Sequence, residues 1–577
     1  MKHRKLYIFC VAMGCLCSTV HAQVVDKAAL PQRLFEEGKT LFDQRAYTAA
    51  IVPLQEYLKG TDVSGYGSEI EGKRLEAEYM LTSICHEMAE PDRTIRLQGF
   101  LDKHPDSHHA NRITALLASS YFYDGDNESA LDLFNQADLS VLETEERNDM
   151  TYQLARTYLN AGNYEEAGAW LKTLKAMSPR YADDCTYYLA YIDYNEGRLN
   201  EAQQGFTQVL RNPKYQQLAP YYVADISLSQ RQYDEAASLA RNYLNSFPGA
   251  EHEAEMYRIL GAAAYQQGNF SEAMSQLERY TNATESPRRD ALYMLGLSYF
   301  RNQVFSKVPT ALSQVTTEDD ALSQNANLHN GLAYLQLGEK NRARMAFQQA
   351  ATSDADLELK EQAAYNYALA VHETSYSAFG ESVTAFEQFL NDFPNSRYAD
   401  QVSNHLVDVY TSTRSYDAAL KSIKRIKNPN ARIQQAKTRI LFQLGTQAFA
   451  NTEFDQAIDY FTQSANTANQ LGSAANAYKA EALYWRGESY YRKGEMDQAA
   501  RDYNSYLSNA VNRGDETYAL AHYNLGYIDF HQKNYAQAQQ HFQQFVNLQK
   551  ENNKQLLADA YNRIGDSYLN RRQFNEA

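Results

Sequence analysis

The sequence predicts an all-α fold, a solenoid of tandem helix-turn-helix units. Three observations predict it: a motif of small and aromatic residues that returns along almost the whole chain, a shortage of helix breakers, and amphipathic helical patterning within each copy. The 577 residues include only 12 Pro and 26 Gly, too few for a collagen-like or linker-dominated chain. Hydrophobic residues make up 44% and charged residues 22%, the balance of a folded protein rather than a disordered one. At ~150 residues per domain this length would give about four globular domains, but a repeat period overrides that count.

The motif is Gly or Ala, an aromatic nine residues on, and Ala three beyond that; Gly261, Phe270 and Ala273 are a clear copy. With the last residue as a marker, copies fall at Ala50, Arg93, Ala130, Ala167, Ala202, Ala236, Ala273, Val308, Ala343, Ser382, Ala419, Ala457, Ala499, Ala538 and Ala577. Successive markers are about 34–43 residues apart, the range of helical-pair repeats. Twelve residues before each marker stands Gly or Ala, from Gly38 and Ala118 to Gly526 and Gly565, with Leu81 and Val407 as exceptions.

Each copy reads as two helices joined by a turn. Gly125, Gly162, Gly197 and Gly268 fall in that turn, and Pro105, Pro179, Pro248 and Pro394 follow the second helix. A small residue on each side of the helix crossing allows close approach, and overpacking there costs about 1–3 kcal/mol. Tyr47, Tyr164, Tyr233, Phe270, Phe305, Tyr416, Phe454, Tyr535 and Phe574 open the second helices and fill the wedge between neighbouring copies. Extended loops are expected at the two longest intervals, from Gly60 to Gly72 and from Asn466 to Ala477.

Leu295-Gly296 with Tyr299, Phe305 and Leu312, and Leu525-Gly526 with Tyr535, Ala538 and Phe542, give a pattern that resembles the tetratricopeptide repeat. The resemblance covers about residues 31–577 and implies a right-handed α-solenoid of about 14 complete repeats plus an incomplete last one. Arg93, Val308 and Ser382 depart from it at the Ala marker. A solenoid needs its terminal apolar face covered. The last copy stops at Ala577, early in its second helix, so the chain is expected to continue past that residue.

Lys2, Arg4 and Lys5 precede an apolar run from Leu6 to about Val20, and Val20-His21-Ala22 has small residues where a signal peptidase cuts. Residues 1–22 therefore read as a cleaved export signal, followed by a short segment, 23–30. The run is shorter than the ~20 residues of a membrane span. Cys15 offers a lipidation alternative, although Ala12 and Met13 suit a lipobox poorly. The mature chain is expected in the periplasm, associated with the outer membrane, if at all, through partners or such an anchor. The formal charge of −16 repels phosphate and argues against nucleic acid and against direct docking on anionic lipid. Cys10, Cys15 and Cys17 go with the leader. Cys85 and Cys185 remain, three repeats apart and too distant for a bridge, and read as buried small hydrophobes.

Motifs for chemistry do not assemble. His86-Glu87, His252-Glu253 and His372-Glu373 each lack the second His of a zinc protease. Gly487-Glu488-Ser489-Tyr490-Tyr491 lacks the closing glycine of a nucleophile elbow. Gly65-Tyr66-Gly67 lacks the third glycine of a phosphate turn. His104, His108 and His109 cluster near Pro105, close enough for a surface metal site, but solvated polar residues starting a helix are the preferred reading. Asn127, Asn269 and Asn282 head sequons that matter only in a eukaryotic source. No catalytic residue, metal site or cofactor is assigned, and the chain reads as no enzyme.

The resemblance also implies which residues of each first helix line the concave face: Tyr152; Tyr187, Tyr191 and Tyr194; Tyr221; Tyr265; Tyr293 and Phe300; Tyr367; Tyr484 and Tyr491; Tyr523, Tyr527 and Phe530, with Asp225, Asp408, Glu488 and Asp566 between them. Tyr152, Tyr187, Tyr191, Tyr194, Tyr221, Tyr293, Tyr367, Tyr484, Tyr523 and Tyr527 are the candidate partner-binding residues. Tyrosine suits recognition because it offers contact area and a hydrogen-bonding end at low entropic cost. The 45 Tyr against 24 Phe argue that part of this lining is exposed, since a dry core gains nothing from a hydroxyl. The Lys/Arg/Asn clamp of chaperone-binding members is represented only by Arg258, Asn404 and Asn562, so that activity is not expected. The function expected is a non-catalytic scaffold or adaptor of the cell envelope, similar to exported adaptors of Gram-negative bacteria, that binds proteins or peptides in its groove. A glycan-handling module for polysaccharide export or uptake is the alternative, because tyrosine rings also stack on sugars.

Overall fold

The computed structural model describes residues 30–61, 67–375, 380–412, 415–549 and 553–577. The leader 1–22 with its three cysteines, residues 23–29, and Gly65 and Tyr66 lie outside the described residues. Among the described residues there is no strand, and no helix is long and apolar enough to cross a membrane. The chain forms two compact units, Met1–Met256 and Tyr257–Ala577. Each is a run of helix pairs in which a helix packs mainly on the helix before it and the helix after it, the neighbour-only connectivity of a solenoid. The fold is all-α, as the sequence predicts.

Among the described residues, twelve turns that end a first helix are built the same way. Gly125, Gly162, Gly197, Gly268, Gly338 and Gly494, five residues before their markers, all have φ between 76° and 82°. In other repeats the same place is taken by Arg45, Arg231, Gln303, Thr452, Lys533 and Arg572, with φ between 57° and 66°. The left-handed residue closes the first helix. Gly162 N donates to Leu159 O (3.1 Å) and Asn163 N to Tyr158 O (2.9 Å), and Gln303 N and Val304 N repeat the pattern onto Phe300 O and Tyr299 O.

The alanine markers from Ala50 to Ala538 are fully buried, as are Val308 and, nearly so, Ser382. Arg93 reaches instead to the end of the next first helix, pairing with Asp124. Small residues meet on both sides of the crossing at Ala190 and Gly205, as expected, but in other repeats the arrangement differs. A Cβ on Gly261 would lie 2.6 Å from Leu277, on Gly331 2.4 Å from Phe347, and on Gly445 2.7 Å from Phe461. The partner is a large side chain sixteen residues on, four beyond the marker, so the crossing sets a notch against a knob. At the entry to the second helix, the expected aromatics meet the last aromatic of the first helix nearly edge-on: Tyr265 with Phe270, Phe300 with Phe305, Phe449 with Phe454 and Phe530 with Tyr535, all with ring centroids 5.4–5.6 Å apart.

Both predicted long loops are shorter than expected. The first is cut back at its far end, because Ser68–Glu87 is already helical, and residues 62–66 lie outside the described residues. The second is replaced by helix: Phe454–Leu471 continues through the interval, and a 3-10 turn, Gly472–Ala475, leads directly into Asn476–Lys493. Ala465 and Ala468 are buried there, so the extra residues lengthen a packed helix. Conversely, the second helix after Arg289–Arg301 shrinks to Phe305–Lys307 and Val308–Leu312, with Pro309 in its first turn.

Candidate partner-binding surface

In the unit Met1–Met256, four of the first helices carry a ring that stacks on an aromatic residue just ahead of the next first helix. Tyr79 lies on His109 (3.5 Å, 3°), Tyr152 on Tyr181 (4.8 Å, 22°), Tyr187 on Tyr215 (4.2 Å, 17°) and Tyr221 on His252 (4.5 Å, 14°). In the unit Tyr257–Ala577, Tyr365 stacks on Tyr398 (4.2 Å, 9°). Stacked pairs of this kind add about 0.5–1.5 kcal/mol beyond the buried area. The ring faces are therefore used to join successive repeats.

The hydroxyls join them as well. Tyr181 Oη donates to Asp149 Oδ1 (2.6 Å), Tyr215 to Asp184, Tyr194 to Asp225 Oδ2 (2.6 Å), and Tyr523 (2.6 Å) and Tyr527 both to Asp559 Oδ2. Burial, then the carboxylate hydrogen bond, raise the Tyr215 and Tyr181 phenols, which stay protonated and donating. The premise that a packed core gains nothing from a phenol hydroxyl is thus corrected, because the hydroxyl has carboxylate partners inside the stack; part of the lining is nonetheless accessible.

Two of the ten candidate residues are corrected outright. Tyr187 is 7% exposed and Tyr484 5%: the first is enclosed by Tyr215, Phe206 and Tyr222, the second by Tyr503 and Tyr506. Neither ring has surface to offer. Asp225 and Glu488, expected between the lining rings, are buried also, with Glu488 accepting from Tyr503 and Asn524. Tyr152, Tyr191, Tyr194, Tyr221, Tyr293, Tyr367, Tyr523 and Tyr527 are half-buried. Tyr367 lines a cavity of about 190 Å³ together with Lys360 and Phe389.

One place brings predicted and unpredicted residues together. Helices Thr144–Asn160, Tyr164–Met177 and Ala182–Asn195 enclose a cavity of about 430 Å³, lined by Arg156, Leu159, Tyr164, Tyr187, Tyr188, Tyr191 and Leu218 among others. Arg156 lies over the Tyr188 ring, 4.2 Å from its centroid, donates to the Tyr188 hydroxyl, and reaches the Tyr152 hydroxyl at 3.3 Å. Its Nε is buried with no hydrogen-bond partner among the described residues. An Arg nitrogen left so costs desolvation energy unless a ligand oxygen completes it. Sequence reasoning missed Arg156 and Tyr188. Arg156 follows Tyr152 by one helical turn, and Tyr188 lies one residue from a position that was selected, so both were within reach.

Nothing in this arrangement supplies a reactive thiol. Cys85 and Cys185 are free and buried, and burial pushes their thiols up to about 11 and about 12, which leaves them protonated at neutral pH.

Comparison with known proteins gives the repeats their type. Tetratricopeptide-repeat models match residues 115–182 and 224–287, 326–357, and 481–511 and 520–550, and the chain carries tetratricopeptide repeats. No curated protein matches the sequence. Similar solved structures include the APC/C hetero-tetramer Cut9-Hcn1 (13% identity, 93% of this chain and 96% of that chain, TM-score 0.27). Another is a tetratricopeptide repeat protein from Parabacteroides merdae (15% identity, 44% and 98%, TM-score 0.30). A third is Naa15/Naa10 bound to HypK-THB (14% identity, 81% and 67%, TM-score 0.29). Tetratricopeptide-repeat proteins generally act as protein-binding scaffolds.

Proposed function

We propose that this chain is a non-catalytic scaffold that captures a segment of another protein at the cavity around Arg156 and Tyr191 and organises a complex in the cell envelope. The observation that carries the reading is the buried, unpartnered Nε of Arg156 beside a cavity whose walls are tyrosine and leucine. A carboxylate or carbonyl oxygen of a bound segment completes that guanidinium, and an apolar side chain fills the space between the rings. Tyr191, half-buried and edge-on to Tyr222 at 5.9 Å, is the rim residue that a partner touches first. The glycan alternative fits less well, because a sugar stacks on an open ring face, and in Tyr152, Tyr187 and Tyr221 a face is already spent on a neighbouring ring.

The envelope placement rests on the leader, with its basic start, apolar run and Val20-His21-Ala22. N-terminal sequencing of the mature protein from a Gram-negative expression host should begin at Gln23, and a retained Met1 would reject export. For the groove, Tyr191→Ala and Arg156→Gln should each weaken capture of envelope proteins about tenfold or more, while helical CD and melting stay as in the wild type. Undiminished capture by both variants would reject the site, and binding on a glycan array lost in the same variants would move the assignment to sugars.

A further inference from the structure

The sequence groups three histidines around Pro105, and the structure sorts them differently. His104 Nε2 lies on Glu78 Oε2 (2.8 Å), a carboxylate that Lys103 also holds at 2.7 Å. His108 and His109 turn the other way, and both meet Glu76: Nε2 of His109 is 2.8 Å and Nε2 of His108 3.1 Å from the same oxygen, Oε1. One ligand atom from each of these three residues lies within 4.8 Å of the others.

We propose that Glu76, His108 and His109 bind one divalent transition-metal ion, Zn²⁺ being the best match. Bonds of about 2.0–2.2 Å in a tetrahedral site put neighbouring ligand atoms roughly 3.3 Å apart. The two separations from Glu76, 2.8 and 3.1 Å, need only a few tenths of an ångström of opening, and the two imidazole nitrogens, within 4.8 Å of each other, take the same spacing as the ion enters. The site is held from two sides. Glu76 comes from the helix Ser68–Glu87, and the histidines from the turn that leads into Ala110–Asp124. His109 is fixed by the Tyr79 ring, stacked parallel to it at 3.5 Å, and by its own backbone N–H on Ser107 Oγ (3.2 Å). Its side chain is 15% exposed, that of Glu76 36% and that of His108 68%. The exposed side leaves room for water as a fourth ligand.

Two imidazoles and one carboxylate select for zinc, cobalt, nickel or copper, and against Mg²⁺ and Ca²⁺, which take oxygen donors. Binding through both Nε2 atoms puts the imidazole protons on Nδ1. The ion then replaces two hydrogen bonds to one oxygen by three bonds, and it ties together helices from two successive repeats.

Titration of the full chain with ZnCl₂ by isothermal calorimetry, with CoCl₂ absorption as a probe of tetrahedral geometry, tests this. The expected result is saturable uptake that falls by one equivalent in the Glu76→Gln/His109→Gln double variant, is weakened at least about tenfold in His108→Gln, and is unchanged in His104→Gln and by excess MgCl₂. His108 is exposed, so its variant reports binding even if the double variant loses structure. Equal Zn²⁺ uptake by the wild type, the double variant and His108→Gln would overturn the proposal, as would no saturable uptake at all. These outcomes are independent of partner capture at Arg156.

Discussion

The crossing inside a repeat and the interface between successive repeats are made of opposite materials. Inside, a glycine such as Gly261, Gly331 or Gly526 receives a leucine or phenylalanine sixteen residues on, at distances that leave no room for a methyl group. Between repeats, tyrosines and histidines stack face to face, and phenol hydroxyls bind carboxylates of the neighbour, as in Tyr215 with Asp184 and Tyr523 with Asp559. The first is a contact of shape, which is intolerant and repeats almost unchanged. The second is a contact of polarity, which varies from copy to copy and leaves rings and charged groups near the surface. That difference favours a candidate binding site between repeats.

Adding a single methyl group to the inner crossing is expected to have the largest effect. A Cβ on Gly331 would sit 2.4 Å from the fully buried Phe347, so Gly331→Ala should lose about 1–3 kcal/mol in urea unfolding of its part of the chain, and an unshifted transition would mean that the crossing is slack. The inside of a repeat is not apolar everywhere: Tyr503 donates to Glu488 and Arg486 pairs with Asp502 within one helix pair, and a histidine pair sits in the next. His522 Nδ1 and His541 Nδ1 are 3.0 Å apart within a helix pair, and burial, followed by the charge of His541, pushes His522 down to about 4. A histidine whose folded pKa lies below its unfolded value of ~6.5 contributes stability that is complete above pH 6.5 and lost as the pH falls toward 4, because the unfolded chain takes up the proton first. Each unit of separation is worth up to about 1.4 kcal/mol. Melting followed from pH 8 to pH 4 should therefore fall less steeply in His522→Gln than in the wild type, and parallel curves would remove this histidine from the account. The smallest effect concerns the turn. Lys533 is exposed at φ 66°, where glycine sits in sister repeats. Lys533→Gly should stabilise by about 0.5–1 kcal/mol, and Gly494→Ala should do the reverse in the same thermal scan.

Much of the fold was legible because packing inside a repeat recurs at fixed spacing. The marker alanines, the left-handed turn five residues before them and the edge-on aromatic pairs at the second-helix entry are all tied to one register. The knob at sixteen residues was legible as part of the repeat pattern, at Leu312 and Phe542, but its contact with the small residue of the first helix was not, because the spacing alone does not say which side chains meet. The tyrosines were harder. Whether Tyr187 or Tyr188 faces outward depends on about 100° of helix rotation, and the residues that cover Tyr187, Tyr215 and Tyr222, lie in the next repeat, where no spacing rule announces them. The hydroxyl count could not say which tyrosines stay accessible for the same reason, since Asp149 and Asp184 are partners from about thirty residues away. The cavity at Arg156 arises from three helices, and of its rim only Tyr191 was marked in the sequence.

The central claim is that tyrosine hydroxyls bind repeat to repeat, and Tyr215 with Asp184 tests it most directly. A double-mutant cycle of Tyr215→Phe and Asp184→Asn, read as the local opening energy from hydrogen exchange in Ala182–Asn195 and Ala219–Ser229, should show a coupling of about 1.5–3 kcal/mol, the range for a hydrogen bond to a charged group. Additive effects, with no coupling between the two substitutions, would contradict it.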